Sequence, residues 1–198
     1  EFPKLKKQVL IFAAILFSVI LIVGLILLGL GYNEAFYNDN PALYTTAKII
    51  TEFGGDMVFI ILLALIYLTF DKRYAKYLLT QFIIQLFINS TVKDICKDPR
   101  PSWNIVDGEP IETSYGFPSG HSQNAVGFYG YNMYMLQDHP KRKPWYVICT
   151  FFLIAIPITR LIIGVHDLDD VIGGLTIGIF IATAFSYLAP LAVEKLGD

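Results

Sequence analysis

Charge is scarce in this chain: Asp, Glu, Lys and Arg make up 16% of its 198 residues, against 55% hydrophobic ones. So poor a polar surface excludes a water-soluble globular domain, and a mean hydropathy of +0.53 agrees. Cysteine is nearly absent. Cys96 and Cys149 fall near opposite ends of predicted membrane segments, too far apart for Cα atoms that must approach within about 7 Å to form a disulfide; both are expected in the core. The formal net charge of −2 and the shortness of the basic clusters leave no footprint for nucleic acid. Low-complexity linkers and internal repeats are also missing, so residues 1–198 read as one domain.

What the chain has in quantity is long apolar runs, near 8–32, 54–70, 77–96, 119–137, 145–165 and 169–191. A helix of about 20 residues rises about 30 Å, the thickness of a bilayer's hydrocarbon core. The predicted fold is therefore all-α, a polytopic membrane protein with six transmembrane helices. The first run is too long and too evenly apolar for a signal peptide and is expected to be retained.

An even number of spans puts both termini on one side. If that side is cytoplasmic, the inner segments hold Lys4, Lys6, Lys7, Lys72, Arg73, Lys76, Lys141, Arg142, Lys143 and Lys195, 10 of the 15 basic residues, as the positive-inside rule requires. The outer side keeps Lys48, Lys93, Lys97, Arg100 and Arg160. Of the two long outer connections, 33–53 mixes aromatic and aliphatic residues with polar ones and suits a segment in the membrane interface, either roofing a site or simply anchoring. The other, 97–118, carries Pro99, Pro101, Pro110 and Pro118 and cannot be one continuous helix. With this topology the outer ends of spans three to six meet at one rim of a helix cluster, and three chemistry-bearing fragments meet there with them.

The first fragment runs from Lys93 to Pro101. Pro99 ends the helix, which places Arg100 on an extended turn reaching back over the helix end; lysine brings a mobile point charge and arginine a planar fork for two phosphate oxygens. In the second, Pro118-Ser119-Gly120-His121, Pro118 stops what precedes it and Ser119 is a favoured N-cap. The helix start is an anion site, Gly120 permits close approach, and His121 stands in the first turn. The third is Arg160, His166 and Asp170. A histidine and an aspartate at i and i+4 share a helical face, and a carboxylate on one imidazole nitrogen leaves the other as a lone-pair nucleophile. Spacing favours Asp170 over Asp167 and Asp169 as the orienting group. On an unbroken helix Arg160 and His166 would point about 120° apart, so unwinding near Gly164 is expected. Two histidines with carboxylates could instead ligate a metal, but three cations aimed at the same place favour a phosphate.

Other features carry less. Asn89-Ser90-Thr91 has the glycosylation pattern inside a span, and is expected to be unused. Gly174 and Gly178 are spaced for close helix packing, and His139 lies in the inner basic loop.

Lys93 with Arg100-Pro101, then Pro118-Ser119-Gly120-His121, then Arg160, His166 and Asp170 together resemble the three signature motifs of the type-2 phosphatidic acid phosphatase (lipid phosphate phosphatase) superfamily, in its integral-membrane branch. The resemblance implies a metal-independent hydrolase without cofactors that acts through a phosphohistidine: His166 attacking phosphorus, His121 protonating the leaving oxygen, Asp170 orienting His166, and Lys93, Arg100, Ser119, Gly120 and Arg160 holding the phosphoryl oxygens. Two departures stand out. Thr159 replaces the usual serine before the arginine, and Asp167-Leu168-Asp169 replaces an aromatic-proline start, an acidic change expected to shift the His166 pKa upward.

The function these readings converge on is an outward- or lumen-facing phosphatase of a lipid phosphate whose tail stays in the bilayer: a polyprenyl diphosphate, phosphatidic acid or phosphatidylglycerophosphate. A lipid phosphotransferase using the same phosphohistidine is the alternative among enzymes, and a non-catalytic carrier of anionic lipids the alternative outside them. Oligomeric state is not legible.

Overall fold

The computed structural model describes residues 6–34, 36–106 and 108–196; Lys4, assigned above to the inner face, lies outside them. Among the described residues the chain forms eight α-helices: α1 (Lys7–Gly29), α2 (Pro41–Glu52), α3 (Asp56–Thr69), α4 (Lys72–Cys96), α5 (Gly120–Ala125), α6 (Tyr131–Met135), α7 (Arg142–Ile163) and α8 (Leu168–Leu196). A π turn over Val126–Gly130 joins α5 to α6 as one rod. The connection from α4 to α5 has a 3-10 turn at Ser102–Asn104 and a two-residue antiparallel hairpin, β1 (Ile105–Val106) and β2 (Glu109–Pro110), with Ile105 opposite Pro110.

The helices begin and end where local chemistry directs. Asn40 Oδ1 accepts from the Ala42 and Leu43 amides at 3.1 and 3.2 Å, with Pro41 in the first turn, and Asp71 Oδ1 accepts from Tyr74 N at 2.7 Å. α4 stops at Lys97, which adopts the left-handed conformation at φ 51°, two residues before Pro99. α7 stops at Gly164, also left-handed at φ 79°.

The six predicted spans correspond to α1, α3, α4, the α5–α6 rod, α7 and α8, and the chain is an all-α polytopic membrane protein. The count of six needs refining, however. Among the described residues only α1, α7 and α8 are long and apolar enough to cross a membrane unaided; α2 and α3, bent by 44°, make a fourth candidate as a pair. α4 misses because it carries a polar stripe, Gln81, Gln85 and Asn89, all buried, and the α5–α6 rod because it is polar and interrupted. Most of segment 33–53, expected in the membrane interface, is α2.

α5 packs on α8, α2 on α7, α1 on α8 and α3 on α4. The α5–α8 contact explains the glycine pair: a Cβ on Gly174 would lie 2.4 Å from the Ser119 carbonyl oxygen, and one on Gly178 would lie 2.8 Å from that of Gln123, so the backbones touch. Below it lies an aromatic core in which Phe59 stacks on Phe128 at 4.7 Å and meets Phe82 edge-on at 5.3 Å. α1 is peripheral, with Phe12, Ile15 and Leu25 exposed to lipid. Both cysteines are free; Cys149 is buried, but Cys96, expected in the core, is exposed at the end of α4.

Candidate active site

The stripe on α4 is the floor of the site. Gln81, Gln85, Asn89 and Lys93 recur every fourth residue and so share a face. Asn89 Nδ2 donates to the Pro118 carbonyl at 3.2 Å and to Gln123 Oε1 at 2.9 Å, while Gln123 Nε2 donates to the backbone and side-chain oxygens of Gln85, each at 2.9 Å. In hydrocarbon such amides must pair with one another. The ladder holds the start of α5 against α4, and one turn further Lys93 reaches the loop, donating to the carbonyls of Tyr115 and Gly116. Glycosylation of Asn89 is incompatible with this buried position.

Arg100 lies on extended chain beyond the helix end, as its sequence context predicts. Its Nε donates to Ser114 O at 2.7 Å, Nη2 to Ser114 Oγ at 2.9 Å and Nη1 to Val165 O at 2.7 Å, with Nη1 also 3.2 Å from His166 Nε2. Ser119 caps α5, its Oγ 3.4 Å from Ser122 N. Its own amide donates to Asp170 O at 2.9 Å, a bond that fastens the second fragment to the third. Gly120 opens the helix beside Asn89; a Cβ there would lie 3.2 Å from Asn89 Oδ1. His121 faces the bend between α2 and α3, where a Cβ on Gly54 would lie 3.2 Å from its ring.

Arg160 is 3% exposed in the last turn of α7. It donates through Nη1 to Thr51 Oγ1 at 3.1 Å and through Nη2 to Glu112 Oε1 at 2.6 Å. His166 and Asp170 make the anticipated contact, Nδ1 to Oδ2 at 2.8 Å, by a different route. His166 precedes α8 rather than lying on it, in the turn that Gly164 opens. That unwinding reconciles the directions of Arg160 and His166. Gly164 is needed here, because a Cβ would sit 2.6 Å from both Trp103 Cβ and the Tyr37 ring, and those two rings stack at 4.6 Å over the turn. The first outer connection thus closes one side: Asn33 accepts from the amides of Leu168 and Asp169, each at 3.1 Å. Of the three aspartates, Asp170 is the one whose carboxylate bonds the histidine.

A guanidinium can only donate, so the Arg100 contact fits an unprotonated Nε2 on His166, with the proton on Nδ1 facing Asp170. Burial, then Arg160, Arg100 and Lys93 in turn, hold the His166 pKa well below the usual histidine value. The upward shift expected from the acidic rim is therefore not realised, because the buried ring is ringed by cations while the carboxylates act on each other: burial, then Asp169, Glu34 and Asp98, push Asp167 up to about 6.

All eight sequence-predicted site residues lie at this one end of the bundle. Sequence reasoning missed Glu112, Thr51 and the Gln85–Asn89–Gln123 ladder. The ladder had a signal, amides four residues apart inside an apolar run; Glu112 had none.

Comparison with known proteins places this arrangement. Phosphatidylglycerophosphatase B of Bacillus subtilis is 33% identical over 101 residues, 48% of this chain and 47% of that protein. Sphingosine-1-phosphate phosphatase 2 of Mus musculus is 23% identical over 169 residues, 83% of this chain and 47% of that protein, so the chain spans about half the length of these curated relatives. The crystal structure of a transmembrane PAP2-type phosphatidylglycerolphosphate phosphatase from Bacillus subtilis superposes with a TM-score of 0.71 at 25% identity, covering 93% of this chain and 96% of that one. The PAP2 superfamily model matches residues 73–193, more than half of the sequence and all three fragments, and the chain belongs to that superfamily.

Proposed function

We propose that this protein is an integral-membrane lipid phosphatase that hydrolyses a phosphate monoester or phosphoanhydride without a metal. The observation that carries the reading is the state of His166: Nδ1 is held by Asp170 at 2.8 Å, and the unprotonated Nε2 lies 3.2 Å from Arg100 Nη1, with a lone pair that is released for attack when the guanidinium turns to a phosphoryl oxygen. Nε2 attacks phosphorus and the bond to the lipid oxygen breaks. His121 gives its proton to that oxygen, which leaves as the lipid alcohol or monophosphate. Water then attacks the phosphohistidine, His121 takes a proton from it, and phosphate departs with His166 restored.

The remaining residues hold charge in place. Lys93, Arg100 and Arg160 bind the phosphoryl oxygens together with Ser119 Oγ and the amides of Gly120 and His121 at the helix start; the next two amides are already held by Ser119, Ser122 N by its Oγ and Gln123 N by its carbonyl. The Ser119 amide itself is committed to Asp170 O. Because these groups surround helix ends, a headgroup enters while its tail remains in lipid, and the basic residues of the opposite end support an outer or lumenal site with cytoplasmic termini. Phosphatidylglycerophosphate and sphingosine phosphate, named in the relatives, and polyprenyl diphosphates share this chemistry.

The test is phosphate release from these lipids by detergent-solubilised protein in excess EDTA, with His166→Ala alongside. Turnover is expected to survive EDTA and to vanish in the variant; activity abolished by EDTA would remove the metal-free mechanism.

A further inference from the structure

The cation cluster already holds an anion. Glu112 Oε1 accepts from Arg160 Nη2 at 2.6 Å, and Oε2 lies 4.0 Å from Arg100 Nη2. The backbone is arranged to present this carboxylate. Glu112 N donates to Asn104 Oδ1 at 3.1 Å, Asn104 Nδ2 donates to Glu112 O at 2.8 Å, and Ile111 N donates to Asn104 O at 2.8 Å; Asn104 is itself buried. The next residues supply the other cations, Ser114 bonding Arg100 through O and Oγ and the carbonyls of Tyr115 and Gly116 receiving Lys93. From 112 to 116 the connection therefore gives an acceptor to each of the three cations proposed to bind phosphate. A phosphoryl group that takes Arg160 Nη2 or the Nε and Nη2 donors of Arg100 must displace the acceptors this segment supplies.

We propose that Glu112 is the resident counter-ion of the phosphate site, a carboxylate the substrate must displace, and that it is a specificity-determining residue selecting dianionic phosphoryl groups over monoanionic phosphodiesters. The inference rests on the lipid phosphatase reading. A phosphate monoester carries a charge of about −1.5 to −2 at neutral pH and three terminal oxygens, more than a carboxylate offers to two guanidinium groups. A phosphodiester brings one negative charge and two free oxygens, the same as the carboxylate it would replace, so the exchange gains little. That distinction matters for a site at the headgroup level, where diester lipids surround it. Discrimination here works through the incumbent rather than through an added contact to the preferred ligand.

The experiment compares wild type with Glu112→Gln and Glu112→Asp. Calorimetric titration of detergent-solubilised protein with inorganic phosphate is expected to show Glu112→Gln binding on the order of tenfold tighter, since one charge-assisted competitor is gone, and Glu112→Asp close to wild type. In vesicles, phosphatidylglycerol is expected to inhibit turnover of a lipid monophosphate by Glu112→Gln but not by wild type. Phosphate affinity unchanged or weaker in Glu112→Gln overturns the proposal, as does a fall in kcat with unchanged phosphate affinity, which would make Glu112 a participant in the chemistry. Hydrogen exchange on the wild type needs no variant: saturating phosphate is expected to speed exchange of the Ile111 and Glu112 amides, and unchanged or slower exchange overturns displacement. Neither binding nor exchange requires turnover, so a failed phosphatase reading shows separately, as phosphate binding without hydrolysis.

Discussion

The two ends of this bundle handle charge in opposite ways. At the end away from the site, Lys6 and Asp138 form an ion pair whose side chains are 48% and 60% exposed, and the turns between α3 and α4 and between α6 and α7 are short. At the site end, Arg160 and Glu112 pair with the arginine side chain 4% exposed, and His166 and Asp170 pair with both nearly inaccessible. Water screens the first pair and makes it dispensable. The second set stands in a low-dielectric rim where an unpaired partner is costly, so position and protonation there are tightly specified. The proposed chemistry sits where the fold has removed water from charge.

Breaking the His166–Asp170 pair is expected to have the largest effect. An asparagine at 170 keeps the volume but donates through its amide to Nδ1, which drives the ring proton to Nε2 and removes the lone pair that would attack phosphorus. Asp170→Asn should lower kcat by about 10³-fold or more, by analogy with the loss of the orienting carboxylate in a Ser-His-Asp triad, while phosphate still binds. A fall in kcat under tenfold would mean that Asp170 is a packing residue. The next effect is on assembly of the rim. Gly174→Ala forces a Cβ to within 2.4 Å of Ser119 O and 3.2 Å of Ser122 Cβ, which should cost about 1–3 kcal/mol as overpacking and lower the thermal midpoint. Gly29→Ala, with nothing within 4 Å of the added carbon, should leave it unchanged or slightly raised.

The same contrast governs what the sequence disclosed. Apolar run lengths located the helical rods, and Pro99, Ser119 and Gly164 located the breaks, because those signals are local. The eight candidate site residues were expected at one end of the bundle for a related reason: each sits at a helix end, or in the turn beside one, whose position the runs already bounded. The turn holding His166 was expected as helix, since spacing alone does not distinguish an i, i+4 pair on a helix from one across its N-terminus. Glu112 was hidden because its role depends on where Asn104 folds the connection back, a contact between loop residues with no periodicity. The count of unaided spans differed because residues that are polar in sequence, Gln81, Gln85 and Asn89, are buried inside the protein, where Gln85 and Asn89 bond Gln123 and the Gly178 and Pro118 carbonyls.

A smaller effect, which sharpens the comparison, comes from pH. His166 has its pKa depressed below 6.5 by burial and by cations, and its neutral form is the proposed nucleophile. Protonation in the free enzyme therefore needs a pH below the ordinary histidine range, and the acid limb of kcat/KM assigned to it should fall below pH 6.5. Arg100→Gln removes one of the cations responsible, so the His166 pKa rises and the limb moves toward higher pH. Using one substrate for both proteins cancels its own ionisation. A limb that stays in place or moves to lower pH would show that Arg100 does not set the protonation of His166.

At the opposite end the smallest effect is expected. Lys6 and Asp138 are both exposed, their attraction is screened, and ordering two mobile side chains offsets much of what remains. Asp138→Ala should change stability by no more than about 0.5 kcal/mol and leave kcat and KM unaltered, measured by thermal unfolding in the same detergent and by phosphate release. Lys6 would still have water as a partner, whereas Arg160 deprived of Glu112 has a buried guanidinium whose Nε is already without a partner among the described residues. A loss from Asp138→Ala comparable to that from Gly174→Ala would mean that the pair fastens α1 to the bundle, and that exposure is not what separates the two ends.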